Sequence, residues 1–264
     1  MSAIPAFTNV VVTGGGRGIG AALARAYAAP GVTMLLVGRD AGRLEATAAD
    51  VRARGATVET AAADVSDAPA LERILLAFDA RHPVDLVIAN AGVSGGLGPN
   101  REAETFASAQ RQLRINLEGA VATVTPLLEP MRARKRGRIV LMSSLAALQA
   151  VGDTAAYSAS KAGILMWGRA LADFLAPDGV GVSVVCPGFV TSDMSARYLG
   201  PKPFEMSADE AAALIARRVA KGRELIAFPW PMVALIRLSN LLPRRVARYA
   251  LTHFPVTIAP DQHG

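Results

Sequence analysis

Three side chains in the middle of the chain could act together in acid–base chemistry. Tyr157 and Lys161 lie four residues apart, so on a helix they share one face and their head groups can meet. A cation beside a phenol lowers the pKa of the phenol, which makes tyrosine a usable acid or base. Ser144, thirteen residues before the tyrosine, adds a hydroxyl donor. An isolated pair of this kind more often decorates a solvated helix, so its meaning depends on the rest of the chain.

A glycine-rich segment between a predicted strand and a predicted helix indicates a phosphate site. It reads Thr13-Gly-Gly-Gly-Arg-Gly-Ile-Gly20. Ile19 stands where the G-x-G-x-x-G fingerprint has glycine, so the segment does not match that motif. The physics is nevertheless the same, because a tight glycine turn lets backbone approach a phosphate at a helix N-terminus.

Short β-branched runs alternate with longer alanine-rich runs along the chain. The alternation predicts right-handed βαβ crossovers and an α/β, doubly wound, Rossmann-type three-layer fold with a mostly parallel seven-stranded sheet. The continuous apolar runs suit strands buried on both faces. The predicted strands are residues 9–13, 33–37, 57–61, 84–89, 138–142, 180–185 and 224–228. The predicted helices are residues 18–29, 40–54, 68–81, 103–134, 154–176 and 208–221.

The composition favours one globular domain in a reducing compartment. No linker divides the 264 residues, so residues 1–264 are expected to form a single domain, with a tail at 229–264 packed on it or at an interface. The single cysteine, Cys186, allows no intrachain disulfide. No segment has the pattern of a signal peptide or the length of a bilayer span, so we expect a cytoplasmic protein.

The chain is basic, with a net charge of +6 and a pI near 10.0. Such a balance could indicate nucleic acid or membrane partners. The charges are dispersed except at residues 132–136 and at Arg244, Arg245 and Arg248. Neither cluster is interleaved with aromatic residues for base stacking, so no nucleic acid partner is expected.

Together these motifs make the chain resemble the short-chain dehydrogenase/reductase family, in its single-domain branch, over nearly its whole length. The segment from Thr13 to Gly20 resembles the cofactor turn of that family. The three residues between Tyr157 and Lys161 resemble the ordinary reductases, not the enoyl reductases with their longer gap. Other matching motifs are Asn90-Ala91-Gly92, Asn116, Ser144 and Pro187-Gly188.

The resemblance implies an oxidoreductase that moves a hydride between a nicotinamide cofactor and a carbonyl/alcohol pair. Tyr157 would be the acid or base, and Lys161 would lower its pKa and bind the nicotinamide ribose. Ser144 would stabilise charge on the substrate oxygen, and Asn116 would hold a water that leads to solvent. Alternatively, Ser144 could satisfy backbone at a strand end and Asn116 could cap a helix kink.

Cofactor choice depends on the end of the second predicted strand. Gly38 offers no carboxylate to the ribose hydroxyls of NAD, whereas Arg39 can pair with a 2′-phosphate. Arg17 resembles the second basic residue of NADP-preferring relatives. Asp40 is the competing observation, because it lies twenty residues beyond Gly20 and could bind the ribose of NAD. We interpret Asp40 as a helix N-cap and expect NADP, with NAD as the less favoured alternative.

The resemblance assigns cofactor contacts to residues in turns after several strands. Asp64 would contact adenine together with Val65, or could instead cap a helix. Ser192 stands where the family usually has threonine, and neighbouring Thr191 leaves the hydroxyl donor to the nicotinamide carboxamide undecided. No metal site is predicted. The expected cofactor-binding residues are Gly14, Gly16, Arg17, Gly18, Ile19, Gly20, Arg39, Asp64, Val65, Asn90, Ala91, Gly92, Tyr157, Lys161, Pro187, Gly188, Val190 and Ser192.

The loops expected to bind substrate are apolar, which predicts an uncharged, fairly hydrophobic carbonyl or secondary alcohol. The residues concerned are Leu145, Leu148, Val151, Met194, Tyr198, Leu199, Phe204 and Met206. Family relatives usually form homodimers or homotetramers through their long helices, and the same is expected here. A catalytically idle dinucleotide sensor or scaffold of the same fold is the alternative, which the presence of both Tyr157 and Lys161 disfavours.

The tail beyond the last predicted strand admits two interpretations. Its apolar residues and flanking arginines resemble a helix that lies on anionic lipid, which would give weak peripheral membrane contact. The favoured alternative is a tail packed over the mouth of the active site or across a subunit interface. Pro229, Pro231 and Pro243 favour it, because they limit any continuous amphipathic helix.

Overall fold

The computed structural model describes residues 7–97 and 102–243, and within them seven apolar segments form one sheet. Every neighbouring pair of strands is parallel. The order across the sheet is β3-β2-β1-β4-β5-β6-β7, so the predicted doubly wound fold is confirmed and the sheet is wholly parallel. The strands are β1 (Asn9–Thr13), β2 (Thr33–Gly38), β3 (Thr57–Ala62), β4 (Leu86–Ala89), β5 (Gly137–Met142), β6 (Val180–Pro187) and β7 (Leu225–Phe228).

Helices cover both faces of the sheet, and the longest predicted one is interrupted. Residues 103–134 form two α-helices separated by a π-helical turn, Leu113–Glu118. Two helices were not predicted, the short α7 and the tail helix α9. The α-helices are α1 (Gly18–Tyr27), α2 (Ala41–Arg52), α3 (Ala68–Arg81), α4 (Phe106–Gln112), α5 (Gly119–Arg134), α6 (Ala155–Leu175), α7 (Asp193–Ala196), α8 (Ala208–Ala220) and α9 (Trp230–Ser239).

In every strand except β3, where Thr57, Thr60 and Ala62 are exposed, alternate side chains enter two separate apolar layers. Val10 and Val12 of β1 pack with α1, α2 and α8, whereas Val11 packs with α3, α5 and α6 on the opposite face. The strands therefore read as continuous apolar runs, because successive side chains point to opposite faces and both faces are covered.

The strand order reverses between β1 and β4, which creates a crevice beyond their carboxyl ends. The loops after β1, β4, β5 and β6 meet at this edge. Within the described ranges, no helix is both long enough and apolar enough to cross a bilayer. The basic cluster Arg244, Arg245 and Arg248 lies outside the described residues.

Candidate active site

A cleft of about 2700 Å³ opens at the carboxyl edge of the sheet. The structure brings nearly all of the predicted site residues together along its walls. Gly20 and Asn116 are the exceptions, because both are buried beneath the cleft. The cleft runs from Arg39 and Asp64 at one end to Met232 and Ile236 at the other.

The glycine turn after β1 is shaped for close approach of a phosphate. Gly14 and Gly18 have φ angles of +66° and +54°, a left-handed region that favours glycine. A Cβ on Gly20 would lie 2.1 Å from the Gly14 carbonyl oxygen, so no side chain fits there. The first turn of α1 follows at once, and its N–H groups have no intrahelical acceptor. These features fit the diphosphate of a dinucleotide.

Asn90 holds this turn against β4. Its Nδ2 donates to the carbonyl oxygens of Thr13 and Gly14, at 3.1 and 3.3 Å. Its backbone N donates to Thr13 Oγ1 at 3.2 Å. Asn90 lines the cleft as predicted, and its amide also fixes the shape of the cofactor turn.

Ser144 and Tyr157 both line the cleft, and the Ser144 hydroxyl lies close enough to the phenol to lower the pKa of Tyr157. Ser144 follows β5, and its Oγ also accepts a hydrogen bond from Ala146 N at 3.2 Å. This bond agrees with the alternative interpretation, that the serine satisfies backbone at a strand end. Ser143 joins the two segments, because its Oγ donates to Lys161 O at 2.8 Å.

Lys161 lies one helical turn beyond Tyr157 on α6, as predicted. Its Nζ lies 5.7 Å from the centroid of the Tyr157 ring and donates to Met142 O at 2.9 Å. The side chain is buried, and burial lowers the pKa of Lys161 to about 8. The ammonium is therefore close to its titration point at neutral to mildly basic pH.

The pKa of Tyr157 moves in the opposite direction from the prediction. Burial raises this pKa, and the Ser144 hydrogen bond offsets only part of the rise. The expected lowering by Lys161 is not found, because the ammonium bonds to the Met142 carbonyl instead of to the phenol oxygen. Tyr157 is consequently a protonated hydroxyl at neutral pH.

Asn116 lies in the π-helical turn, completely buried. Its Oδ1 accepts from Val93 N at 2.8 Å, and its Nδ2 donates to Val93 O and to Ser160 Oγ, each at 3.0 Å. A Cβ on Gly92 would lie 3.1 Å from Asn116 Oδ1 and 3.4 Å from Lys161 Nζ. Asn116 therefore lies beside the lysine, and its position in an irregular helical turn also agrees with the kink alternative.

Asp40 has its predicted role as a helix N-cap, and the helix-capping alternative for Asp64 is wrong. Asp40 is the N-cap of α2, where its Oδ1 accepts from Arg43 N at 3.0 Å. Asp64 does not cap a helix, because Asp67 caps α3. Asp64 instead accepts hydrogen bonds from Ser66 and lies 4.0 Å from Arg39. Burial opposes ionisation of Asp64, but the Ser66 hydrogen bonds and nearby arginines lower its pKa overall.

Arg43 was missed from the sequence, although it lines the cleft beside Arg17 and Arg39. The Nη1 atoms of Arg17 and Arg43 both lie 2.9 Å from Asp193 Oδ2. These hydrogen bonds lower the pKa of Asp193. The sequence contained one signal for Arg43. It lies three positions after the predicted N-cap Asp40, so it belongs to the first turn of the helix, close to the strand end.

The two candidate hydroxyls after β6 both bond to backbone. Ser192 is the N-cap of α7 and accepts from Ser195 N at 3.1 Å, while its own hydroxyl donates to Val190 O at 3.2 Å. Thr191 Oγ1 donates to Met206 O at 3.3 Å. Ser192 lines the cleft, whereas Thr191 does not, which favours Ser192 as the donor to a bound cofactor.

The rest of the cleft wall is mostly apolar, and the tail helix α9 forms part of it. The predicted residues that line it are Leu145, Val151, Met194, Tyr198 and Phe204. Leu148, Leu199 and Met206 do not line it. The sequence missed Met232, Leu235 and Ile236 of α9.

Hydrogen bonds hold the end of α9 to the loop after Ser144. Ser239 Oγ donates to Gln149 Oε1 at 3.1 Å, and Asn240 Nδ2 donates to Leu148 O at 3.0 Å. The tail, as far as residue 243, thus packs at the mouth of the cleft, which was the favoured alternative. In the described part of the chain, no three His, Cys, Asp or Glu side chains are grouped so that they could hold a metal ion.

Known proteins that are similar to this chain in sequence or fold include oxidoreductases and reductases. An uncharacterized oxidoreductase of Myxococcus xanthus is 35% identical over 238 residues, which cover 90% of this chain and 93% of the relative. The ketoacyl reductase HetN of Nostoc is 35% identical over 210 residues, or 78% of this chain and 72% of the relative. The crystal structure of levodione reductase superposes with a TM-score of 0.77 at 26% identity, covering 86% of this chain and 98% of that one. A family model described as short chain dehydrogenase matches residues 8–200, and the chain belongs to the short-chain dehydrogenase family.

Proposed function

We propose that this oxidoreductase reduces an uncharged, hydrophobic ketone or aldehyde with NADPH. The observation that carries the proposal is the placement of Ser144 and Tyr157 in one cleft beside buried Lys161. The pair lies in one cleft, between the glycine turn on one side and an apolar wall on the other.

The chain's own groups would manage the proton of the reaction. Bound NADPH supplies the hydride that reaches the carbonyl carbon. Ser144 and Tyr157 would donate hydrogen bonds to the carbonyl oxygen, and Tyr157 would give its proton to that oxygen as negative charge develops. Because burial raises the pKa of Tyr157, the phenol is protonated at neutral pH, which suits reduction better than alcohol oxidation.

Lys161 and Asn116 would restore the proton. With a pKa of about 8, the Lys161 ammonium can release and recover a proton near neutral pH. Asn116 fixes the backbone at Val93 beside this lysine. We infer that it holds the π-helical turn open for a water path from Lys161 to solvent.

Electrostatics at the β2 end of the cleft support NADP over NAD. Gly38 places no carboxylate there, and Asp40 is occupied as a helix N-cap. Arg39, Arg17 and Arg43 all line this region. Guanidinium groups bind phosphate through paired, charge-assisted hydrogen bonds, so together they favour a cofactor that carries a 2′-phosphate.

The alternative, an idle dinucleotide sensor of the same fold, predicts cofactor binding without turnover. No residue in the Ser144, Tyr157 and Lys161 group is replaced, which favours the enzyme. We also propose a cytoplasmic homodimer or homotetramer. The exposed apolar side chains of Met166 and Phe174 on α6 support contact between subunits, and the unpaired thiol of Cys186 suits a reducing compartment.

The test is consumption of NADPH and NADH with a panel of carbonyl compounds. Methyl ketones of increasing chain length, cyclic ketones and ketosugars would be compared at equal cofactor concentration. We expect NADPH to be preferred and kcat/KM to rise with apolar surface. Preference for NADH would contradict the argument from the arginines. Preference for ketosugars would contradict the apolar cleft, and tight NADPH binding without turnover of any substrate would favour the sensor.

A further inference from the structure

Helix α9 presents an apolar face to solvent beside the mouth of the cleft. Trp230, Leu235, Leu238 and Leu241 are 77%, 60%, 60% and 82% exposed. At 3.6 residues per turn Trp230, Leu235 and Leu238 span an arc of about 140° on α9, and Leu241 follows in the turn after the helix ends. We call them the α9 apolar face. The other side of α9 packs on the protein through Met232, Val233 and Ile236.

Packing of α9 on the core does not account for this apolar face, because its four side chains are exposed. α9 is fixed at its end by the hydrogen bonds of Ser239 and Asn240 to the loop after Ser144, so its outward side is presented in one orientation. Single exposed apolar residues are common on protein surfaces, whereas a contiguous row of large ones usually marks an interaction site.

The charges in this part of the sequence favour an anionic partner for the face. No acidic residue occurs between Glu224 and Asp261, whereas the same stretch contains Arg237, Arg244, Arg245 and Arg248. Arg237 is exposed on α9 itself. Viewed along the helix axis, it lies about 20° from Trp230, so it borders the apolar face. Large apolar side chains bordered by arginine, with no acid in the same stretch of sequence, match an anionic lipid surface.

A second copy of the chain fits this face less well. In a two-fold contact the same patch meets itself, which would bring the two Arg237 guanidinium groups close together. The sequence offers no acid in the stretch to neutralise them. Lipid phosphates would pair with these same arginines.

The face is continuous with the entrance to the cleft. Leu235 and Leu242 are exposed and also line the cleft, as does Phe204 from the loop after α7. An apolar molecule dissolved in a lipid layer could thus pass along apolar surface from the layer to Ser144 and Tyr157.

We propose that the α9 apolar face docks on anionic lipid membranes, with the mouth of the cleft facing the lipid. The contact is peripheral, and it supplies apolar substrate from the membrane. Docking itself does not depend on catalysis; only the delivery of substrate rests on the proposed function.

Vesicle flotation of the full chain tests the docking. The probes are vesicles of phosphatidylcholine alone and of phosphatidylcholine with about one-third phosphatidylglycerol. We expect the protein to float with the anionic vesicles, to float less with the neutral ones, and to be released by high salt because exposed charges are screened. The double variant Leu238→Glu/Leu241→Glu should bind at least about tenfold more weakly, since two carboxylates replace apolar contacts.

Leu76→Glu on α3 is the matched control, because Leu76 is also an exposed large apolar residue but lies on a different helix from α9. Its flotation should equal that of the wild type. NADPH binding, measured on the same samples, should be unchanged in both variants. This readout separates a failure of docking from a failure of the proposed function, since NADPH can bind without lipid.

Three results would overturn the docking proposal. The first is no flotation of the wild type with anionic vesicles. The second is equal flotation of the wild type and the double variant. The third is a fall in subunit number in the double variant, by sedimentation, without vesicle binding of the wild type, because the face would then be an interface between copies of the chain.

Discussion

A buried ammonium is costly for a fold, and Lys161 carries one. Its side chain is 4% exposed, and the hydrogen bond to Met142 O compensates only part of the lost hydration. The depressed pKa of about 8 measures this cost. In the proposed reaction the same depression is useful, because it brings the titration of the lysine close to neutral pH.

The unfavourable burial of the Lys161 ammonium predicts how the free energy of unfolding depends on pH. The unfolded-state pKa of Lys161 is 10.5 and its folded-state value is about 8, so between these values the unfolded chain binds more protons. Stability from this group therefore rises with pH through that window. The unfolding free energy of the wild type relative to Lys161→Met should increase by about 2 kcal/mol between about pH 7.5 and about pH 10.

Urea denaturation of both proteins at each pH measures this difference. Lys161→Met keeps most of the side-chain stem and removes the charge, so titrating groups that do not interact with Lys161, such as Tyr27, cancel in the comparison. A difference that does not change with pH would show that Lys161 has an ordinary pKa.

Asp193 is the residue expected to oppose binding of a 2′-phosphate. Its carboxylate occupies guanidinium groups of Arg17 and Arg43, which the phosphate would also need. Asp193→Asn should tighten NADPH binding by roughly threefold to tenfold and leave NADH binding nearly unchanged, as is reasonable for exposed ion pairs. Fluorescence titration with both cofactors measures this. Weaker binding of both cofactors would show instead that Asp193 holds the cleft closed over the cofactor.

At the scale of elements, the turn between β1 and α1 depends on the missing side chain of Gly20. A methyl group there would lie 2.1 Å from the Gly14 carbonyl oxygen and would force the turn away from α1. Gly20→Ala should weaken NADPH binding at least about tenfold and destabilise the fold by about 1–3 kcal/mol, as overpacking does. Calorimetric titration and urea denaturation measure the two effects.

Gly42→Ala in α2 is the matched control. A Cβ on Gly42 would lie no closer than 3.5 Å, to Asp40 Oδ1, and alanine is the better helix former by about 1 kcal/mol. This variant should bind NADPH normally and be equally or more stable. Normal NADPH binding by Gly20→Ala would contradict the assigned role of the turn.

Buried strands could be predicted well from the sequence, whereas the irregular elements could not. Each predicted strand agrees with the structure to within two residues, because continuous apolar runs bounded by turns are a strong local signal. β4 starts at Leu86, two residues later than predicted, although the Asp85 backbone already bonds to Asn9 and Arg138 of the neighbouring strands.

The π-helical turn and the tail helix were missed for opposite reasons. Leu113–Glu118 continues the helical pattern, and its extra residue per turn depends on the tertiary hydrogen bonds of Asn116. α9 was disfavoured by its prolines, but Pro229 is the N-cap residue and Pro231 lies in the first turn, where a missing N–H costs nothing. The ion pairs of Asp193 join segments far apart in the sequence, so no local pattern predicts them.

At the scale of the whole molecule, the cleft joins a polar end built by the sheet to an apolar end completed by the tail. The sheet edge supplies the glycine turn and the Ser144–Tyr157 pair, and α9 adds Met232 and Ile236 to the opposite wall. This arrangement places an apolar surface next to the proposed acid–base residues, so the tail would contribute to substrate selection in the proposed reaction.

Ile236→Ser tests whether the apolar end of the cleft binds substrate. Removing apolar surface from the wall should lower kcat/KM for long-chain ketones by about 10- to 100-fold and change NADPH affinity little, as expected for loss of a few methylene contacts. Leu238→Ser is the matched control, because Leu238 lies on the outer side of α9 and does not line the cleft. Equal losses in the two variants would indicate a general effect on α9 and contradict a substrate-binding wall.

The most direct test of the proposed reaction is single-turnover oxidation of NADPH by Tyr157→Phe with the best ketone of the panel. The substitution removes only the hydroxyl that would protonate the carbonyl oxygen. We predict that the hydride-transfer rate falls by about 10²- to 10⁴-fold, as for loss of a general acid, while the Kd for NADPH stays within about twofold of the wild-type value. Hydride transfer at the wild-type rate in Tyr157→Phe would contradict the mechanism.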